Sequence, residues 1–374
     1  MKYKSIYVAA TSQHVGKTTS TLGLASAFSN AGIDIGYCKP VGQEYVIRNN
    51  LQVDKDVILF ADLLNFNIDP AIHSPVILGS GTTSDFLEHP EKYHFKDWLL
   101  NAKHKIENIH DLVVYEGTGH PGVGSIVNLS NAEVARLTDS GLIMIAEGGI
   151  GSAIDMLNLC FSMFKTKKVP ILGVILNKVY PEKMERIGYF VAKKLKEWDI
   201  PLLGMMPYDK NMSLPLLKTV AKAVNGDIEY NEDHLNSVVS GVIAGSLFTA
   251  DEIRDKTELL LVVGAARMDI AINDIIHISK QYDLKKSPFS GIISTGIGTY
   301  SPKTIHYIQQ NNIPVIRTHL ETYPAVLKIS RIEVKINQQT PWKVSRAIEM
   351  IGENINLDYI LEKSKLTSGR STQE

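Results

Sequence analysis

Six short apolar runs set the strongest limit on how this chain folds: Ile6–Ala10, Ile35–Cys38, Leu112–Tyr115, Leu142–Ala146, Ile171–Leu176 and Leu202–Met205. They are rich in Val and Ile and scarcely alternate with polar residues. A strand with one face in water alternates, whereas a strand covered on both faces does not. Each run is followed by a turn and a helical stretch. Right-handed crossovers then predict a doubly wound α/β domain, a parallel sheet with helices on both sides. Ligands bind such sheets at the carboxyl ends of the strands, so the residues directly after each run are the candidates for chemistry.

The pattern breaks after Pro207. Leu214–Val224 reads as one helix, and Gly226–Asp233 is polar and turn-like. A chain of 374 residues exceeds the usual single core, so two domains are expected. The first is placed at 1–225. A second, smaller α/β domain is placed at 234–360, with strands at Leu259–Val263, Gly291–Ser294 and Val315–Arg317 and a helix over Thr304–Gln310. The polar segment 365–374 is expected to be a frayed tail.

Charge narrows the partners. Lys plus Arg number 39 and Asp plus Glu number 40, which leaves no whole-chain reason to expect nucleic acid or an anionic membrane. No apolar stretch reaches membrane length, and the start of the chain lacks a secretory core. The two cysteines, Cys38 and Cys160, lie far apart and are read as reduced, buried thiols of a cytoplasmic protein. The histidines show no ligand spacing, so no metal beyond magnesium is expected.

The first run leads into TSQHVGKTT, and Thr18 to Phe28 continues as a good helix former. Strand, loop and helix in that order are the context of a phosphate-binding loop. The loop residues Gln13, His14, Val15, Gly16, Lys17, Thr18 and Thr19 are therefore placed around a nucleotide. Backbone N–H groups and the positive helix end favour a polyphosphate. Lys17 is placed to reach the β- and γ-phosphates, and the Thr18 hydroxyl to bind magnesium. The first glycine of the usual pattern is replaced by Thr11. Ala10 sits one position earlier, so the loop is one residue longer than standard.

Three other strand ends carry candidates. Glu116 is followed by glycines and fits a second magnesium ligand or a water-holder; the competing reading is a helix cap or a solvated glutamate. Asn177 has a carboxamide that matches an adenine edge, or else it caps the next helix. Lys39 precedes Pro40, which restricts it to an extended conformation. It reaches a γ-phosphate or an acidic substrate, or else it is a surface lysine.

Together these residues resemble the dethiobiotin synthetase family and its relatives over roughly 3–224. Those relatives are the cobyrinic acid amidating synthases and the N-terminal domain of long bacterial phosphate acetyltransferases. The resemblance rests on the spacing Ala10 to Gly16, on Lys39-Pro40-Val41, on Asp56, on Glu116-Gly117, on Asn177 and on the turn Gly204 to Pro207. It implies a P-loop NTPase domain that binds ATP and Mg2+. Lys17 and Lys39, with Glu116, would serve catalysis at the γ-phosphate. Thr18, Asp56 and Glu116 would hold the metal, and Asn177 and the backbone near Pro207 the adenine. Glu116–Ala135 and Glu147–Asp155 resemble a less characterised branch. The second domain resembles the DRTGG domain that follows in that branch, with Val262–Ile270 and Ser294–Tyr300 in place of its motifs, both degenerate.

Two functions follow. One is an ATP-dependent, ligase-type enzyme that activates a small acidic substrate, a carboxylate or carbamate, by phosphoryl transfer. The other is a nucleotide- or metabolite-sensing regulatory protein, which is the role the resemblance implies for the matching part of the long acetyltransferases. Relatives of the P-loop domain generally pair, so a homodimer is expected, with Gly148–Gly151 as a candidate seam.

Overall fold

A computed structural model of the chain describes residues 3–48, 51–332, 334, 336 and 340–363. It divides into two units, Met1–Asp209 with Ile336–Glu374, and Lys210–Lys335.

The first unit is built on β1 (Ser5–Ala10), α1 (Lys17–Asn30), β2 (Ile35–Cys38), α2 (Lys55–Leu64), α3 (Phe95–Ile109), β3 (Leu112–Glu116), α4 (Asn131–Leu137), β4 (Gly141–Glu147), α5 (Gly151–Thr166), β5 (Ile171–Val179), α6 (Met184–Glu197) and β6 (Leu202–Pro207). All six apolar runs are strands. They form one sheet in the order β6-β5-β4-β1-β3-β2, and every pairing is parallel. Every residue of β1, β2 and β3 is buried, which is why these runs do not alternate. The helices are one-faced where the sheet needs it: α6 buries Ile187, Val191 and Leu195, four residues apart. Cys38 and Cys160 are both buried free thiols, as the sequence reading expected.

The second unit contains α7 (Leu217–Ala223), β7 (Asp227–Tyr230), β8 (Gly241–Ala244), β9 (Leu259–Gly264), α8 (Met268–Gln281), β10 (Phe289–Thr295), α9 (Pro302–Gln310), β11 (Val315–Thr318) and α10 (Thr322–Ser330). Its sheet runs β7-β11-β10-β9-β8. The last four strands are parallel, and β7 is antiparallel to β11. Successive residues of β9 serve opposite faces. Leu259, Leu261 and Val263 pack with α8 and α9, while Leu260 and Val262 pack with α7 and α10.

Three expectations need correction. Residues 226–233 are not all turn, because Asp227–Tyr230 pairs with β11. The helix expected over 214–224 covers only α7, and Lys210–Ser213 is a short 3-10 turn. The division falls after Asp209 rather than near 225, and residues 340–363 return to the first unit. There α11 (Pro341–Asn354) packs against α1, followed by α12 (Leu357–Lys363). Gly23 permits this approach: a Cβ there would lie 2.4 Å from Ile351 Cγ1 and 2.8 Å from the Ala347 carbonyl oxygen. Sequence periodicity reports which face of a helix is apolar, not which partner covers it. The tail at 365–374 lies outside the described residues. No helix among those residues is long and apolar enough to cross a membrane.

Candidate nucleotide site

β1 delivers the chain to the sheet's carboxyl edge, where the Thr11 N–H still bonds to the Ile145 carbonyl at 3.0 Å. The loop then turns through His14 (φ 61) and Gly16 (φ 95), both left-handed. A side chain at Gly16 is excluded twice, by φ and by space, since its Cβ would lie 2.1 Å from Asn177 Nδ2. α1 starts at Lys17 with no side-chain cap, so its first N–H groups remain available to an anion.

Asn177 and Lys178, consecutive at the end of β5, hold two consecutive carbonyls of this loop. Asn177 Nδ2 donates to Val15 O at 2.7 Å, and Lys178 Nζ donates to His14 O at 2.6 Å. Asn177 Oδ1 accepts from its neighbour's N–H at 2.8 Å. Turning carbonyls back toward β5 is what a loop that offers its N–H groups to phosphate requires. Pro207 closes β6 on the adjacent strand, in register with Val179. Gln13 and His14 are exposed, Val15 is buried, and Thr19 is half-buried.

The charged centre lies on the other side of β1. Glu116 ends β3 and is fully buried. Its Oε1 accepts from the Lys17 ammonium, from Thr18 Oγ1 at 2.7 Å and from Lys39 Nζ at 2.9 Å. Its Oε2 accepts from Tyr37 OH at 3.1 Å. Lys39 also donates to Asp56 Oδ2 at 2.6 Å. Asp54 caps α2 by accepting from the Asp56 N–H at 2.9 Å. Lys39 is only 4% exposed, which removes the surface-lysine reading.

The electrostatics follow from this packing. Burial works against charge on Glu116, but Lys17 and Lys39 outweigh it and hold its pKa down at about 2. Burial opposes the Lys39 charge too, yet Asp56 and Glu116 raise its pKa well above the ordinary value. Lys17 is shifted down by burial, partly offset by Glu116. Asp54 is pushed up to about 6 by burial, against the pull of Lys39.

Thr18 and Glu116 suit a magnesium ion, since hard oxygens sit side by side on a helix start and a strand end. Asp56 is engaged differently, because the Lys39 ammonium lies between it and Glu116. Among the described residues no group of three His, Cys, Asp or Glu side chains forms a protein-only cage. Magnesium does not need one, because it usually takes one or two carboxylates and completes its shell with waters and substrate phosphates.

The sequence reading missed Tyr37, Asp54 and Lys178. Tyr37 was legible in principle: two positions before Lys39, it shares the same side of an extended strand.

Phosphate-binding loop, parallel sheet and buried lysine–glutamate centre together define a P-loop NTPase-like domain. The chain belongs to the AAA domain family AAA_26, whose model matches residues 4–215. Among curated proteins it resembles the phosphate acetyltransferase of Pseudomonas putida, 25% identical over 78% of this chain and 41% of that protein. It resembles that of Nitrosomonas europaea at 20% identity over 96% of this chain and 51% of that protein. The probable cobyric acid synthase of Methanocaldococcus jannaschii is 25% identical over 56% of this chain and 46% of its own. The chain thus spans about half the length of the acetyltransferases it matches. MinD of Pyrococcus horikoshii, solved with Mg-ADP, is 18% identical over 57% of this chain and 84% of its own, with a TM-score of 0.35.

Proposed function

We propose that the first unit binds ATP with Mg2+ and transfers the γ-phosphoryl group to a small carboxylate or carbamate, as an ATP-dependent ligase does. The observation that carries this reading is the convergence of Lys17, Thr18 and Lys39 on the one buried carboxylate Glu116. Phosphoryl transfer needs positioned positive charge more than covalent participation by the protein. Lys17 and Lys39 supply that charge, and Glu116 with Asp56 keeps both ammoniums ionised and oriented. Thr18 and Glu116, with Asp56 near by, would hold Mg2+, which when bound neutralises phosphate charge. Lys39 stands nearest the segment after β2 and orients the acidic acceptor. The backbone near Pro207 and the carboxamide of Asn177 border the adenine.

A second reading is a nucleotide- or metabolite-sensing regulatory protein. It is favoured by the alignment of 96% of the chain, both units included, with half of an acetyltransferase. In either reading the second unit is a DRTGG-like domain, the protein is cytoplasmic, and the P-loop unit pairs as a homodimer near Gly148–Gly151. Light scattering at micromolar concentration tests the pairing.

The deciding experiment pairs calorimetry with phosphate release, in the presence of a panel of small carboxylates and amines. The ligase reading expects stimulated release that Glu116→Gln cuts by about a hundredfold or more, with measurable nucleotide affinity retained. Release at the wild-type rate in that variant would leave the regulatory reading standing.

A further inference from the structure

The loop that leaves β3 after Glu116 is held from behind by one side chain, and the holding atoms show which way its backbone faces. Asn131, the first residue of α4, is only 3% exposed. Its Oδ1 accepts from Tyr7 OH at 2.7 Å and from the Thr118 N–H at 3.0 Å. Its Nδ2 donates to the Thr118 carbonyl at 2.8 Å and to the His120 carbonyl at 2.7 Å. Both donors and both acceptor lone pairs of the carboxamide are thus used. The group cannot be turned over, because Nδ2 would then face the Thr118 N–H and Oδ1 would face two carbonyls. Gly117 makes the room: a Cβ there would lie 2.6 Å from Asn131 Oδ1.

The same loop lies between the two lysine-bearing segments. The Gly117 N–H bonds to the Val8 carbonyl at 2.9 Å, which carries the pairing with β1 one step past Glu116. Thr118 Oγ1 donates to the carbonyl of Val41, two residues after Lys39. Gly119 turns with φ 58, and a Cβ there would lie 2.7 Å from Val123 Cγ2 and 3.8 Å from Cγ of Gln13 in the phosphate-binding loop. In a planar trans peptide the N–H points opposite to the carbonyl. The Thr118 carbonyl points at Asn131, so the Gly119 N–H of the same peptide points away from it. Among the described residues that N–H has no partner. A backbone donor without a protein partner, at the edge where Lys17, Lys39 and Glu116 meet, is open to a ligand oxygen.

We propose that Asn131 is a positioning residue for the transferring phosphoryl group: it aims the Gly119 N–H at a γ-phosphate oxygen. The inference rests on the nucleotide reading of the first unit and adds a backbone donor to the charge that Lys17 and Lys39 supply. A donor already in place costs no rearrangement when charge develops on that oxygen. Tyr7 acts one step further back, because its hydroxyl holds the carboxamide oxygen.

The test uses the full chain and calorimetry with two ligands, Mg-ADP and the magnesium complex of the β,γ-imido analogue of ATP, which differ by the γ-phosphoryl group. The wild-type chain is expected to bind both. Asn131→Asp keeps the two bonds at Oδ1 but sets a carboxylate oxygen against two carbonyls. It should weaken the triphosphate analogue by about tenfold or more, the scale of a hydrogen bond to a charged group, and change ADP affinity by less than about twofold. Tyr7→Phe should show the same split at about threefold, and it decides the matter if the aspartate variant misfolds by circular dichroism. A loss shared equally by the two nucleotides, as a merely structural role would give, or no loss for the triphosphate in a folded variant, would overturn the proposal. Binding of neither nucleotide by the wild-type chain would sink the nucleotide reading and this inference with it. The expected split without acceptor-stimulated phosphate release would leave this inference standing and count against the ligase reading alone.

Discussion

At the carboxyl edge of the first sheet stand Lys17, Thr18, Lys39 and Glu116; at that of the second, on one face, stand Gly264, Thr295 and Thr318. Both edges crown parallel strands whose lower residues are apolar and buried. One edge is an ion cluster whose members need each other, because a buried ammonium without a carboxylate is costly. The other carries a neutral row on one face, where Thr295 and Thr322 bond to each other, and keeps its one ion pair, Arg317 with Glu229, on the opposite face. The architecture is shared, and the residue at the end of each strand decides the chemistry.

The largest expected effect breaks the charged edge. Glu116→Leu strips the Lys17 ammonium of its buried partner and leaves Lys39 with Asp56 alone. Urea unfolding should show a loss of about 3–5 kcal/mol. Thr295→Val, at the matching place in the second sheet, should cost about 1 kcal/mol. Equal losses would mean that the two edges do not differ as their charges say.

The next effect asks what supports the charged edge from behind. Gly23→Val would press the helix carrying Lys17 and Thr18 against the Ala347 carbonyl and Ile351. A cost of about 1–3 kcal/mol is expected from overpacking. A neutral outcome would detach α11 from the first unit.

Asn177→Ala tests the loop itself. Its carboxamide is engaged with Val15 O and the Lys178 N–H. If its main work is to brace the loop, ATP and inorganic triphosphate should both bind about tenfold more weakly, the scale of one buried hydrogen bond. A loss confined to ATP would favour the adenine-edge role proposed for it.

The smallest effect is one of pH. Asp54 titrates near 6 in the fold, above the ordinary 3.8. A raised carboxyl pKa favours the neutral form. Its contribution is therefore complete below 3.8 and is lost as pH rises through 6. Relative to Asp54→Asn, the wild-type chain should lose on the order of 1 kcal/mol between pH 4 and 7. Glu116 runs the other way: its contribution is present above 4.5 and is lost as pH falls toward 2. The second sheet's neutral row should show neither slope.

By itself, the sequence determined what depends on neighbours along the chain. Buried strands show as unbroken apolar runs, so all six strands of the first sheet and three parallel strands of the second were legible. The phosphate-binding loop was legible because its strand, turn, Gly16 and helix are contiguous. Lys39, Glu116 and Asn177 could be singled out because each follows such a run. Only the tertiary structure decided how they meet. Glu116 lies 99 residues from Lys17 and 77 from Lys39, and they converge because β3 is inserted between β1 and β2. Strand order is a matter of crossovers, which leave no local periodicity. The use of Asn177 as a brace, the return of α11 to α1 and the strand at Asp227–Tyr230 were hidden for the same reason. Each depends on a partner far along the chain, and a sequence pattern reports that a face is apolar or a carboxamide well placed, never what it will touch.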